Sequence, residues 1–178
     1  MQNNVSPRHP LRQLFAGLVE QAFEAEIGIC EPRLTDYLAQ LLVEFLHTDD
    51  IYRLRDVDGG GIQELSQMRA VAALPPDASD RDVQRLINRY IGDFTLFWTG
   101  VYPEQLRPRR NAGADRLREY LLVGKQSYGA ASRLTVSGLQ PPADLLALLS
   151  ENFESCVWGL QVVRQGWDER GGAGAHHN

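Results

Sequence analysis

A chain of 178 residues, 43% hydrophobic and 23% charged, is long enough to bury roughly two-thirds of its unfolded surface in one core; wholesale disorder, collagen-like repeats and a long coiled coil are excluded. A net charge of −5 argues against a nucleic-acid partner, because neutralising phosphates takes many positive charges on one surface. Cys30 and Cys156 stand far apart with no CxxC spacing, so neither a zinc site nor a redox motif is expected, and a reducing cytoplasm is the expected setting.

The N-terminal residues show no basic segment followed by an apolar run, and apolar stretches are broken by charge or glycine within about ten residues, so neither a signal peptide nor a membrane span is expected. Apolar residues recur with a period of 3.6 along nearly the whole chain, and alternation of period two is missing. The pattern predicts an all-α, single-domain bundle of about six helices with mostly antiparallel neighbours, covering residues 10–170. Residues 1–9 and 171–178 read as disordered tails.

In chain order, the first helix opens at Pro10, carries Leu11, Leu14, Phe15, Leu18, Ala22 and Phe23, and ends near Gly28. The second opens at Pro32 and turns Leu34, Tyr37, Leu38, Leu41, Leu42, Phe45 and Leu46 inward. Residues 51–61 read as a short turn and a glycine hinge. A weaker third helix with Ile62, Leu65, Met68 and Ala72 closes at Pro75 and Pro76. Ser79, with Asp82 three residues on, predicts an N-cap for a fourth helix over 80–99 whose apolar positions are Val83, Leu86, Ile87, Tyr90, Ile91, Phe94, Phe97 and Trp98. A basic loop around Pro108 leads to a fifth helix over 113–132. A sixth runs from Pro142 to about residue 167, with Leu145, Leu149, Asn152, Cys156, Leu160 and Val163 on one stripe.

Sequence fingerprints of chemistry fail on inspection. Glu44 and His47 form one Glu-x-x-His half-site where a di-metal bundle needs two. The run from Asp56 to Gly61 hints at a calcium loop, but Gln67 stands where the bidentate carboxylate is required. Gly124-Lys125-Gln126-Ser127 resembles the end of a phosphate loop, yet Glu119 replaces its leading glycine. No metal and no cofactor are therefore expected. The basic segment around Arg107, Arg109, Arg110, Arg116 and Arg118 reads as a solvated face balancing an acidic first half.

Three places fit the bundle badly. Asp93 lies in a stretch apolar nearly all round, one turn from Arg89, and must pair or accept hydrogen bonds. Gly124 sits at the centre of the fifth helix's apolar face with Leu117, Tyr120, Leu121, Tyr128 and Ala131, where glycine costs about 1 kcal/mol relative to alanine; either a neighbouring helix approaches closely or a ligand fits there. If the fourth and fifth helices pack together, Asp93, Tyr120, Gly124, Lys125 and Tyr128 form a candidate ligand-binding cluster. Lys125 is the one lysine of the chain. Trp158 falls opposite the core stripe of the sixth helix, amid Glu151, Glu154, Gln161 and Gln165, and with Glu151 and Glu154 it forms a candidate interface.

The expectation from these residues is a non-catalytic helical protein that binds a protein partner or itself. The alternatives are a binder of a small apolar or aromatic ligand and an enzyme using Asp93 with Lys125 or a tyrosine as acid and base.

Overall fold

Proline at a first helical position needs no amide partner, and its fixed φ suits the turn. Pro10 and Pro32 open the first two helices in this way in the computed structural model, which describes residues 8–47, 70, 81–106, 116–134 and 138–174. Those residues form six α-helices, with no strand among them: α1 (Pro10–Ala22), α2 (Pro32–His47), α3 (Arg81–Val101), α4 (Arg116–Arg133), α5 (Ala143–Glu151) and α6 (Phe153–Gly174). None of them is long and apolar enough to cross a membrane. Apart from Ala70, which is helical and exposed, the third helix expected at Ile62 to Ala72, the glycine hinge before it, the Ser79 cap and the basic loop around Pro108 lie outside the described residues.

The first helix takes in His9 from the expected tail and stops near Gly28 as expected. His9 belongs to the structure: its imidazole Nδ1 accepts the amide of Leu11 and caps the helix. At the other end the chain widens into a π-turn over Phe23–Ile27 and reverses at Gly28, whose φ of 77° is open to glycine at little cost.

The single sixth helix expected from 142 to 167 is two. Asn152 leaves the helical conformation (φ −108°, ψ 25°), and its side-chain amide and backbone amide both donate to the carbonyl of Leu148. Local bonding of this kind gives the backbone an alternative to helix continuation, so α5 stops and α6 restarts at Phe153. α6 then continues to Gly174, beyond the expected start of the C-terminal tail.

At the centre lies α3, in which every residue from Ile91 to Val101 is buried. It packs most extensively on α4 and also on α6 and α2, while α1 joins α2 to α6 and α5 lies on α4. Gly92 faces Tyr128 and Phe94 faces Tyr120, so α3 and α4 run antiparallel; Thr99 meets Gln161 and Val101 meets Arg164, so α3 and α6 run in the same direction. Phe15, Phe23, Phe94, Phe97 and Phe153 are essentially sealed from solvent, each contributing about 1.5–3 kcal/mol of burial.

The first half of α3 is rotated from the expected face. Val83, Leu86 and Tyr90, read as core positions, are exposed, Leu86 by 59%, while Arg85 and Asn88 are buried. A helix turns as one rigid rod. The stripe of Gly92, Thr95 and Thr99 that enters the core, extended backwards, runs through Asn88 and Arg85. Arg85 is accommodated by donating to the carbonyl of Pro141, and Asn88 by donating to Gln84.

Candidate functional site

Two places answer to the sequence expectations, one inside the bundle and one on its surface. Inside, α2, α3 and α4 converge on one carboxylate. Asp93 Oδ1 accepts a hydrogen bond of 2.5 Å from the Tyr37 hydroxyl and one of 2.6 Å from the Tyr128 hydroxyl. Arg89, one turn earlier on α3, places Nε 3.5 Å from Asp93 Oδ2 and donates from the same nitrogen to the Tyr37 oxygen at 3.1 Å. Its guanidinium also lies over the Tyr37 ring, 5.7 Å from the centroid. The arrangement joins three helices through a fully partnered buried charge, which is the condition under which burying one is tolerable.

Electrostatics here follow from enclosure. Asp93 is 7% exposed, and burial pushes its pKa up from 3.8 to about 6; Arg89 and the two phenol donors pull the other way without cancelling the effect, and Glu44 adds to the rise. Tyr37 and Tyr128 both ionise well above their ordinary range, through burial first and then through the neighbouring Asp93 charge. At neutral pH the tyrosines remain donors and Arg89 remains charged.

The sequence anticipated part of this cluster. Asp93 and Tyr128 meet, and Arg89 pairs with Asp93 as the spacing required. Tyr37, read only as a core residue of the second helix, is the member the sequence did not reveal; its hydroxyl, a polar tip on an inward stripe that had to find a partner, was the available signal.

The remaining members of the expected cluster lie elsewhere. Lys125 reaches outward from α4, and its Nζ donates to both carboxylate oxygens of Glu154 at 3.0 and 3.1 Å. It is therefore placed on the surface rather than beside Asp93, because a strongly hydrated ammonium on a flexible stem takes the solvent side when one is in reach. Tyr120 is buried with its ring against Phe94, 6.1 Å between centroids.

Gly124 marks a crossing rather than an opening. A Cβ there would collide with the Phe153 ring and the Thr95 hydroxyl, so the space expected for a ligand is filled by side chains. Close approach of α4 to its neighbours is thus what offsets the poor helix propensity of glycine. A groove of about 300 Å³ does exist, but between α1 and α2, where Ala16, Glu20, Pro32, Arg33, Thr35 and Asp36 line it. None of the expected ligand residues is among them. Among the described residues, no group of three or more His, Cys, Asp or Glu is placed to hold a metal ion.

On the surface, Trp158 is 57% exposed on α6; Glu154, one turn earlier on the same helix, is exposed, and so is Glu151 at the end of α5, across the break at Asn152. A second large apolar side chain, Leu122 of α4, is 56% exposed. Gly124 and Tyr128 of α4 both meet Phe153 of α6, and Lys125 meets Glu154. Since α4 runs opposite to α3 and α6 runs with it, stepping one turn back from Lys125 and one turn on from Glu154 moves the same way along the bundle. Those steps arrive at Leu122 and at Trp158. Sequence reasoning found Trp158 because it contradicted its wheel; Leu122 was left off the apolar face of the fifth helix but was not singled out as an exposed apolar residue.

Comparisons with protein families, with curated proteins and with solved structures find no match for this chain.

Proposed function

We propose that this chain is a non-catalytic helical interaction protein that docks through the outer face carrying Trp158. The observation that supports this reading is the exposure of Trp158 together with that of Leu122, on one side of the bundle and one turn beyond the Lys125–Glu154 ion pair. Tryptophan supplies large, rigid contact area and is enriched among the residues that dominate binding energy. Holding it in water has no structural return, whereas the interior is fully occupied at Gly124 and the Asp93 carboxylate is shut behind Tyr37, Tyr128 and Arg89. Acid-base chemistry would need that carboxylate to reach a substrate, and ligand binding at Gly124 would need space there.

A reducing, cytoplasmic setting belongs to the same proposal. Cys30 is an exposed free thiol and Cys156 a buried one, which suits a compartment where thiols stay reduced.

The test is a photo-crosslinking amino acid placed at position 158 of the full chain in living cells, with the same group at exposed Glu24 as the control. Discrete adducts at 158 that are missing at 24 are expected. With the crosslinking group moved to exposed Leu122, Trp158→Ala should weaken the captured complex by about thirtyfold, the loss typical of an anchor worth about 2 kcal/mol. Equal labelling at both positions would end the reading.

A further inference from the structure

Enclosing a guanidinium is tolerable when a carboxylate or phosphate accompanies it. Arg85 has neither among the described residues. It is 4% exposed, and its Nη2 donates to the carbonyl of Pro141, which satisfies one of five donors and leaves the charge unbalanced. Nε is sealed without an acceptor. Asp82, one turn back on α3, is exposed and attracts it only from a distance, while Asp144 on the first turn of α5 is held by Arg33 at 2.7 Å. Arg89, one turn further on, adds repulsion; burial first and Arg89 second pull the pKa of Arg85 below the ordinary arginine range, and the group is still charged at neutral pH.

We infer that Arg85 is the receptor for a small oxyanion, a carboxylate or phosphate group seated where the second turn of α3 meets Pro141. Nη1 finds no acceptor either and, unlike Nε, is not sealed, so one part of the fork remains open to an incoming oxygen. With so little of the residue exposed, the opening admits the tip of an anion and shuts out a ring or a bulky group. α5 begins two residues beyond Pro141, and Pro142 at its N-cap makes no side-chain capping bond, so the positive end of a nine-residue helix lies beside the same spot. An apolar side chain of similar length would fill this position without desolvating a charge. An arginine here is matched once an anion arrives.

Thermal unfolding of the full chain in sodium acetate, in sodium phosphate and in sodium chloride, at equal ionic strength and pH, reads the site. Acetate or phosphate should raise the wild-type Tm along a saturating curve, by about 5–10 °C at a hundredfold excess over Kd, and chloride should do so far less. The larger response names the source: phosphate for a phosphoryl group, acetate for a carboxylate. In a two-dimensional proton and nitrogen NMR spectrum the Arg85 Nε–H signal, assigned by its loss in Arg85→Lys, should move along the same curve.

Arg85→Met separates an anion receptor from a structural arginine. Without added anion it should melt at or above the wild-type temperature, because a desolvated charge has gone, and the saturating rise in acetate or phosphate should be lost. A variant that unfolds, or melts well below wild type, would show that the charge is already balanced within the chain, and the inference would fall. Equal stabilisation of wild type and Arg85→Met, which is the general action of excluded salts, would overturn it as well, as would a wild-type Tm and Nε–H signal that neither anion moves.

Discussion

Changing pH acts on Asp93 in a direction opposite to that of an ordinary paired carboxylate. Its pKa rises from 3.8 in the unfolded chain to about 6 in the bundle, so between those values the folded state holds a proton that the unfolded state has lost. Where the folded state binds more protons, stability falls as pH rises. Over about 2.2 units at 1.36 kcal/mol each, the ionised carboxylate should therefore lower stability above pH 6 by about 3 kcal/mol relative to the protonated one. Asp93→Asn removes the titration while keeping a side chain of the same shape.

Urea unfolding of both proteins at intervals from pH 4 to pH 8 isolates this group, since every other carboxylate titrates alike in the two. The difference between their unfolding free energies should be flat above pH 7 and shift toward wild type by about 3 kcal/mol as pH falls through 6 toward 4. Parallel curves would mean that Asp93 keeps its unfolded pKa. A shift of the opposite sign would mean that Arg89, Tyr37 and Tyr128 hold the carboxylate charged more strongly than burial opposes it, and the account of the cluster would be wrong.

Three further outcomes follow from the packing and the thiols. Tyr128→Phe removes one of the two phenol donors to a sealed carboxylate, so calorimetric or urea stability should drop by about 1–3 kcal/mol and the Asp93 transition should move above 6. Gly124→Ala sets a methyl group into the Phe153 ring and the Thr95 hydroxyl; despite the better helix propensity of alanine, a net loss of about 1–3 kcal/mol is expected in thermal unfolding, and a gain would show that the crossing has room. Cys30 should react with a thiol reagent at once in the native protein and Cys156 only on unfolding, because Cys156 is buried and its pKa is pushed up to about 12; two equally fast thiols would contradict the packing of α6.

Much of the inner cluster was legible from spacing alone. Asp93 and Arg89 are four apart on one helix, a separation that brings side chains together wherever the helix is put. That Tyr37 and Tyr128 would both close on the same oxygen was not legible, since they lie on α2 and α4 and share no local relation with α3. The exposed stripe of Val83, Leu86 and Tyr90 shows the corresponding error: hydrophobicity assigned it to the core, and the contacts of Gly92 and Thr95 further along the same rod assigned that side to Arg85 and Asn88.

By itself, then, the order of residues determined the helical class, the openings at Pro10 and Pro32, the reversal at Gly28, and the two anomalies Asp93 and Trp158, because these depend on dihedral limits and on a 3.6-residue period that operate within a few positions. Tertiary structure decided which face each helix turns inward, why Gly124 is small, and why Lys125 meets Glu154 rather than Asp93. Close packing lets two helices approach only where side chains far apart in the chain interlock, and no local pattern encodes who that distant neighbour will be.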